Sequence, residues 1–337
     1  MNGSAERPTS AVGHPFQVEQ LWQLAAADRI PQSLLFAGPS GVGKRRIAFD
    51  LAAAILAGGS GRSIETELKL AWSGNHPDLH TLHRIEEKKE ISVDQMREFC
   101  SSMRLKPYQG RTSVWIIDNA EEMNIAASNS LLMPLEEPPA HAKIILLSDS
   151  IHRIVPTIVS RCQPVFFGFL SAAEVHQIIA GLYGAADQKQ DARLIADLAR
   201  LAGTSLSALG LEPFLDPANG RVADAGGLTE HLQQIVAATR SVRSRIEGAL
   251  RSGTPAAHLI SVAAELAAEK EAAGLTWSVL RQIAHEKLSS GNPEQVPGWA
   301  AALQTAVRSE QLINERNLSP QIHLAELLLQ FGDADSR

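Results

Sequence analysis

The segment Ser33-Leu34-Leu35-Phe36-Ala37-Gly38-Pro39-Ser40-Gly41-Val42-Gly43-Lys44-Arg45 decides the fold. Ser33 to Ala37 is a short, continuous apolar run of the kind that forms a strand buried on both faces of a parallel sheet. Gly38, Gly41 and Gly43 let backbone N–H groups turn inward around an anion, and a helix opening at Lys44 adds the favourable end of its dipole. This order of strand, loop and helix is what a phosphate-binding loop requires, with Lys44 placed to meet the β- and γ-phosphates of a nucleotide. The pattern is G-x-x-x-x-G-K, but the hydroxyl that should follow and ligate Mg²⁺ is replaced by Arg45. A guanidinium cannot ligate a cation and repels one. Nucleotide binding is therefore expected here, and Mg²⁺-supported hydrolysis is in question.

The same kind of apolar run recurs on either side. Asp78 to Leu82, Ser113 to Ile117, Lys143 to Ser148 and Pro164 to Phe167 are further candidate strands. Helical patterns lie between them. One begins at Lys44 and carries Ile47, Ala48, Leu51 and Ile55 on one face. Another starts after Ser92 as N-cap and places Val93, Met96, Phe99, Cys100 and Met103 at three- and four-residue spacing. The alternation reads as a doubly wound α/β domain over 1–169. Beyond Leu170 the strand signal ends. A small helical lid is expected over 170–211, opening on a capping box from Ser171 and Glu174. A linker rich in Pro and Gly follows, and then an all-helical domain over 223–332.

Composition narrows the function classes. The 337 residues carry a formal charge of -6, which argues against a free, strongly basic DNA binder. Cys100 and Cys162 give no disulfide framework, so a reducing, cytoplasmic setting is expected. The polar start, Met1 to Gly13, has no apolar core of a secretory signal, and the longest apolar stretch near it, Leu51 to Ala57, is too short to span a bilayer. No membrane partner is expected.

A second landmark is Val114-Trp115-Ile116-Ile117-Asp118-Asn119-Ala120-Glu121, an apolar strand ending in an acid that would hold a metal through water. Asn119 follows it, and an amide cannot take up a proton at neutral pH. Alone, this is also how a strand followed by an Asp-Asn turn looks. Further motifs are His76-Pro77-Asp78-Leu79, Ile91-Ser92-Val93-Asp94-Gln95-Met96-Arg97, and Asn129 through the Leu135-Glu136-Glu137-Pro138-Pro139 block. Ser160-Arg161-Cys162 completes the set.

In order and spacing, over about half the chain, these motifs resemble the bacterial clamp-loader subunits of DNA polymerase III, a branch of the AAA+ fold. The resemblance implies an AAA+ α/β domain with a P-loop-type parallel sheet and flanking helices, then a helical lid and an all-α collar that joins the chain to related subunits. Expected partners are motor subunits of the tau/gamma type and a delta-type subunit. The sliding clamp and primer–template DNA would be met through the complex. Departures choose among the family's members. The motor type carries a four-cysteine zinc module after its first helix, whereas no cysteine lies between Leu56 and Asn75, so no zinc is expected. Arg45 replaces the metal-binding hydroxyl, Asn119 the catalytic acid, and Ser207 the sensor-2 arginine.

These losses point to a subunit that holds ATP or ADP at Gly38, Gly41, Gly43, Lys44, Arg45 and Asp118 without turning it over. Arg161, by resemblance, is an arginine finger offered in trans to a neighbour's ATP, with no metal of its own. The alternative is a motor-type ATPase subunit. Cys162 reads as a buried small hydrophobe. His76, His80 and His83 need a bend to share a metal. Arg240, Arg243, Arg245 and Arg251 form either a solvated face or an intersubunit contact, and Lys106 and Arg111 either touch a DNA backbone or flank an exposed turn.

Overall fold

The computed structural model describes residues 12–85, 88, 90–186, 198–199, 206, 209, 211, 225–250, 254–290, 295–316 and 319–336. They fall into two compact units, one of described residues up to Glu174 and one from Val175 onward. The first contains β1 (Ser33–Ala37), β2 (Leu79–Leu82), β3 (Ser113–Ile117), β4 (Ala142–Ser148) and β5 (Gln163–Phe166). These form one sheet of order β2-β3-β4-β1-β5, parallel at every pairing. β1 and β3 are buried at every residue and β4 at nearly every one. That explains their unbroken hydrophobicity, since helices cover both faces.

Around the sheet lie α1 (Pro15–Ala26), α2 (Lys44–Ser60), α3 (Ile64–Trp72), α4 (Val93–Ser102), α5 (Ile125–Glu136) and α6 (Pro156–Val159). α4 begins as its sequence directs. Ser92 accepts from the Gln95 N–H while the Gln95 side chain accepts from the Ser92 N–H, satisfying two orphan donors at once. Met96, Phe99 and Met103 are buried against Trp115, which also stacks on His80 with 3.8 Å between ring centroids. α5 contains Pro134, which has no N–H for the Ser130 carbonyl; that oxygen accepts instead from the Cys100 thiol at 3.8 Å.

Three of the expected strands shift by a residue. β4 starts one residue earlier, at Ala142. β2 starts at Leu79 because the Asp78 carboxylate is drawn into a turn, accepting from the backbone N–H groups of Tyr108, Gln109 and Gly110. β5 begins at Gln163, where pairing with Leu34 starts. α1 and α3 are not foreseen in the sequence reading. α3 lies within the cysteine-free span between Leu56 and Asn75.

Beyond the sheet, α7 (Ala172–Ala186) opens on Ser171 and Glu174, each accepting from the other's backbone N–H. This interaction holds the Glu174 carboxyl below the usual range. Most of the remaining lid span, Ser207 included, lies outside the described residues, as do the linker to 224 and Arg251. Besides α7 from Val175 onward, the second unit contains α8 (Ala225–Ala249), α9 (Ala256–Ala268), α10 (Lys270–Ser290), α11 (Val296–Arg316) and α12 (Pro320–Ser336). Their core includes Ile246, Leu266, Leu280, Trp299, Leu327 and Phe331. Trp299 meets Phe331 edge-on at 5.1 Å. Among the described residues, no helix is long and apolar enough to cross a membrane.

Candidate nucleotide site and arginine finger

The loop after β1 is shaped by its glycines. Gly41 and Gly43 have φ of 68° and 97°, left-handed values that residues with a Cβ avoid. A Cβ on Gly38 would lie 2.2 Å from the Phe167 carbonyl oxygen. The loop is also braced from the N-terminal side, since the ring of the buried His14 hydrogen-bonds the Val42 carbonyl through Nε2 at 2.9 Å. The sequence reading missed His14, though Pro15 directly after it, at the first position of a helix, is a start signal.

Lys44 is buried, and its ammonium is fully engaged. Nζ donates to the carbonyls of Gly38 and Pro39 and to the Asp149 carboxylate, each at 2.7 Å. Asp149 is a second omission, although it follows the end of β4 just as Asp118 follows β3. Its backbone N–H donates to Glu121 Oε1 at 3.0 Å.

Arg45 points at Asp118. Its Nε lies 3.6 Å from Asp118 Oδ2, an ion-pair distance, and its guanidinium sits 5.6 Å from the centre of the Phe49 ring one turn along α2. Burial pushes the Asp118 carboxyl above its ordinary value, and Arg45 is the first of the groups that oppose the rise. Asn119 is exposed in a left-handed conformation, φ 50°, with its N–H donating to Asp118 Oδ1. The residues expected to hold a nucleotide are thus brought together: Gly38, Gly41, Gly43, Lys44, Arg45 and Asp118. A Mg²⁺ ion, which the fold family implies for ATP, does not fit this donor set. Its hydroxyl ligand is missing, and a cationic side chain already faces the acid that would hold its water.

Arg161 stands elsewhere. It follows α6 and precedes β5, so it lies at the starting ends of the parallel strands, beside Pro31 to Ser33, which lead into β1. The phosphate loop leaves the other end of β1, about 16 Å away for a five-residue strand. Its guanidinium donates to the Thr157 carbonyl at 2.9 Å and pairs with the Glu136 carboxylate at the end of α5. The two most specific motifs, Leu-Glu-Glu-Pro-Pro and Ser-Arg-Cys, therefore touch through one ion pair, and Arg161 remains exposed.

Other sequence signals find structural work. His76 Nδ1 accepts from the Asp78 N–H at 3.0 Å, leaving Nε2 to donate to the buried Glu67 at 2.6 Å. Arg243 pairs with Glu247 and Glu286, and Arg245 with Glu265 and Glu269, acids supplied largely by other helices of the second unit.

The sheet order and the loop after β1 define the first unit as an AAA+ α/β domain. Residues 13–170 match the family model described as DNA polymerase III, delta subunit. DNA polymerase III subunit delta′ of Pseudomonas aeruginosa is 36% identical over 156 residues, 44% of this chain and 47% of that one. The same subunit of Bacillus subtilis is 33% identical over 158 residues, 45% and 47% of the two chains. DNA polymerase III subunit tau of Salmonella typhimurium is 27% identical over 186 residues, 53% of this chain and 28% of that one. Residues 13–170 are thus similar to the clamp-loader subunits of DNA polymerase III, with delta′ relatives among them. The chain spans about half the length of the delta′ relatives it matches.

Proposed function

We propose that this chain is a delta′ subunit acting as the stator of a clamp loader, in a ring with motor tau/gamma-type and delta-type subunits. The ring opens a sliding clamp and sets it on primer–template DNA at the expense of ATP. In this reading Arg161 reaches the ATP of a neighbouring motor subunit and stabilises charge on the transferring phosphoryl group. Such fingers are worth about 10³ to 10⁵ in rate. The observation that carries the reading is the separation of Arg161 from Lys44 by the length of β1. An exposed guanidinium at the far ends of the strands cannot serve its own loop, so its use is in another subunit. The Arg45–Asp118 pair supports the other half, a site that does not turn over ATP by itself.

The test is reconstitution with partner subunits. Arg161→Ala is expected to cut DNA-stimulated ATPase and clamp loading by about tenfold or more, while assembly, followed by gel filtration, stays intact. Unchanged ATPase in an intact complex would remove the role.

The match to subunit tau supports a second reading, a motor-type ATPase. It requires Mg²⁺-dependent turnover by the purified chain, abolished by Lys44→Ala. Arg45 and Asn119 both stand against it.

A further inference from the structure

Arg161 and the acid beside it come from two motifs that lie 25 positions apart in the chain. Glu136 is the last residue of α5, and its backbone is held from both sides. Upstream, Leu131 and Leu135 are buried in the core. Downstream, the Pro139 carbonyl accepts from the Ala142 N–H at 2.8 Å, where β4 begins. Arg161 is anchored as firmly. Its N–H donates to the Ile158 carbonyl at 3.0 Å, and Cys162 beside it is buried. The Glu136 carboxylate and the Thr157 carbonyl each take a different terminal nitrogen of the guanidinium, which fixes its plane. A guanidinium has more N–H donors than these contacts use. An open hollow of about 330 Å³ lies beside it, lined in part by Pro31, Gln32, Leu135 and Pro138.

The pair does little for the fold. Water reaches both side chains, which are 33% exposed at Arg161 and 51% at Glu136, and ion pairs of that kind contribute little to stability. What the pair does is restrict a rotamer-rich side chain. An arginine ordered only on meeting a phosphoryl group loses about two- to tenfold of its effect, and one held beforehand does not. We propose that Glu136 is a positioning residue for the finger, holding Arg161 in the orientation in which the guanidinium is offered to the neighbouring subunit's nucleotide. The proposal rests on the stator reading and adds a second residue to it. Glu136 acts only through Arg161, so its loss lowers kcat and leaves KM for ATP as it was.

The experiment is steady-state, DNA-stimulated ATPase of the reconstituted complex, with assembly followed by gel filtration. Glu136→Ala should lower kcat roughly two- to tenfold, with KM for ATP within about twofold of native. Glu136→Gln keeps an oxygen that accepts from the guanidinium, and should stay within about twofold of the native kcat. Added to Arg161→Ala, Glu136→Ala should cause no further loss, because nothing is left to position. An unchanged or faster rate for Glu136→Ala, a loss that recurs in the Arg161→Ala background, a raised KM for ATP, or a complex that no longer assembles would each overturn the proposal. So would a Glu136→Gln variant as slow as Glu136→Ala. A slow Arg161→Ala beside a native-like Glu136→Ala removes Glu136 alone and leaves the finger standing. A native-like rate for Arg161→Ala removes the finger, and the role of Glu136 with it.

Discussion

Cys162 sits between the proposed finger and β5, and its chemistry follows from its surroundings. Burial against the α/β core pushes its thiol up to about 12, and burial likewise pushes Cys100 up to about 11. Both values lie above the ordinary thiol range, so the nucleophilic thiolate is scarce at neutral pH and grows only as pH rises. Iodoacetamide at pH 8 is expected to alkylate both residues at least about tenfold more slowly in the native chain than in urea. Mass spectrometry of timed samples checks this, and rapid native labelling of Cys162 would contradict its packing. Asp118 also shifts upward, and as a carboxylate it does so at a cost. Its folded-state preference for the proton favours the native state below the unfolded pKa and is lost as pH rises through the folded value. Arg45, in ion-pair reach of Asp118, is the first of the groups that oppose this rise.

Among elements, the turn after α4 shows how a motif works without touching a ligand. Asp78 is buried and receives three consecutive backbone N–H groups from residues 108–110. The end of α2 packs on the same turn, since a Cβ on Gly59 would stand 3.0 Å from the Arg111 nitrogen. Beside it, Ser60 donates to Glu67, and Glu67 accepts from His76. Removing the carboxylate leaves three part-buried donors without their acceptor, so Asp78→Ala should cost roughly 1–3 kcal/mol. Urea denaturation would measure it, and a loss below about 1 kcal/mol would mean that water replaces the carboxylate. The turn leaves Leu105 and Tyr108 exposed, so the Lys106 and Arg111 beside them flank a held loop. His-Pro-Asp was legible in the sequence as a family signature. Its job was not, because Glu67 lies on a helix that the sequence reading did not foresee.

For the molecule as a whole, the two units carry separate hydrophobic cores, one around Trp115 and one around Trp299 and Phe331. Phe331 is fully buried. Phe331→Ala should cost about 3–5 kcal/mol through lost burial and the cavity left behind. The loss should appear in the urea transition of the helical unit, with the transition of the α/β unit unchanged. Joint loss of both at once would show that the units melt together. The strand runs, the loop and the C-terminal helix pattern were all readable, since each is a local periodicity. Helix ends were read less well: α8 starts at Ala225, seven residues before the apolar repeat becomes clear at Leu232.

What the chain's order of residues determined by itself was the strand–loop–helix frame, the loss of the metal-binding hydroxyl at Arg45 and of the acid at Asn119, and the presence of Arg161. These are matters of residue type at fixed spacing. Only the tertiary structure decided what each charge faces: Arg45 on Asp118, Lys44 on an acid 105 positions away, and Arg161 on Glu136 at the opposite strand ends. Ion pairs are set by distance in space, and in a parallel sheet each crossover returns the chain to the same end, gathering acids from separate strands beside one loop.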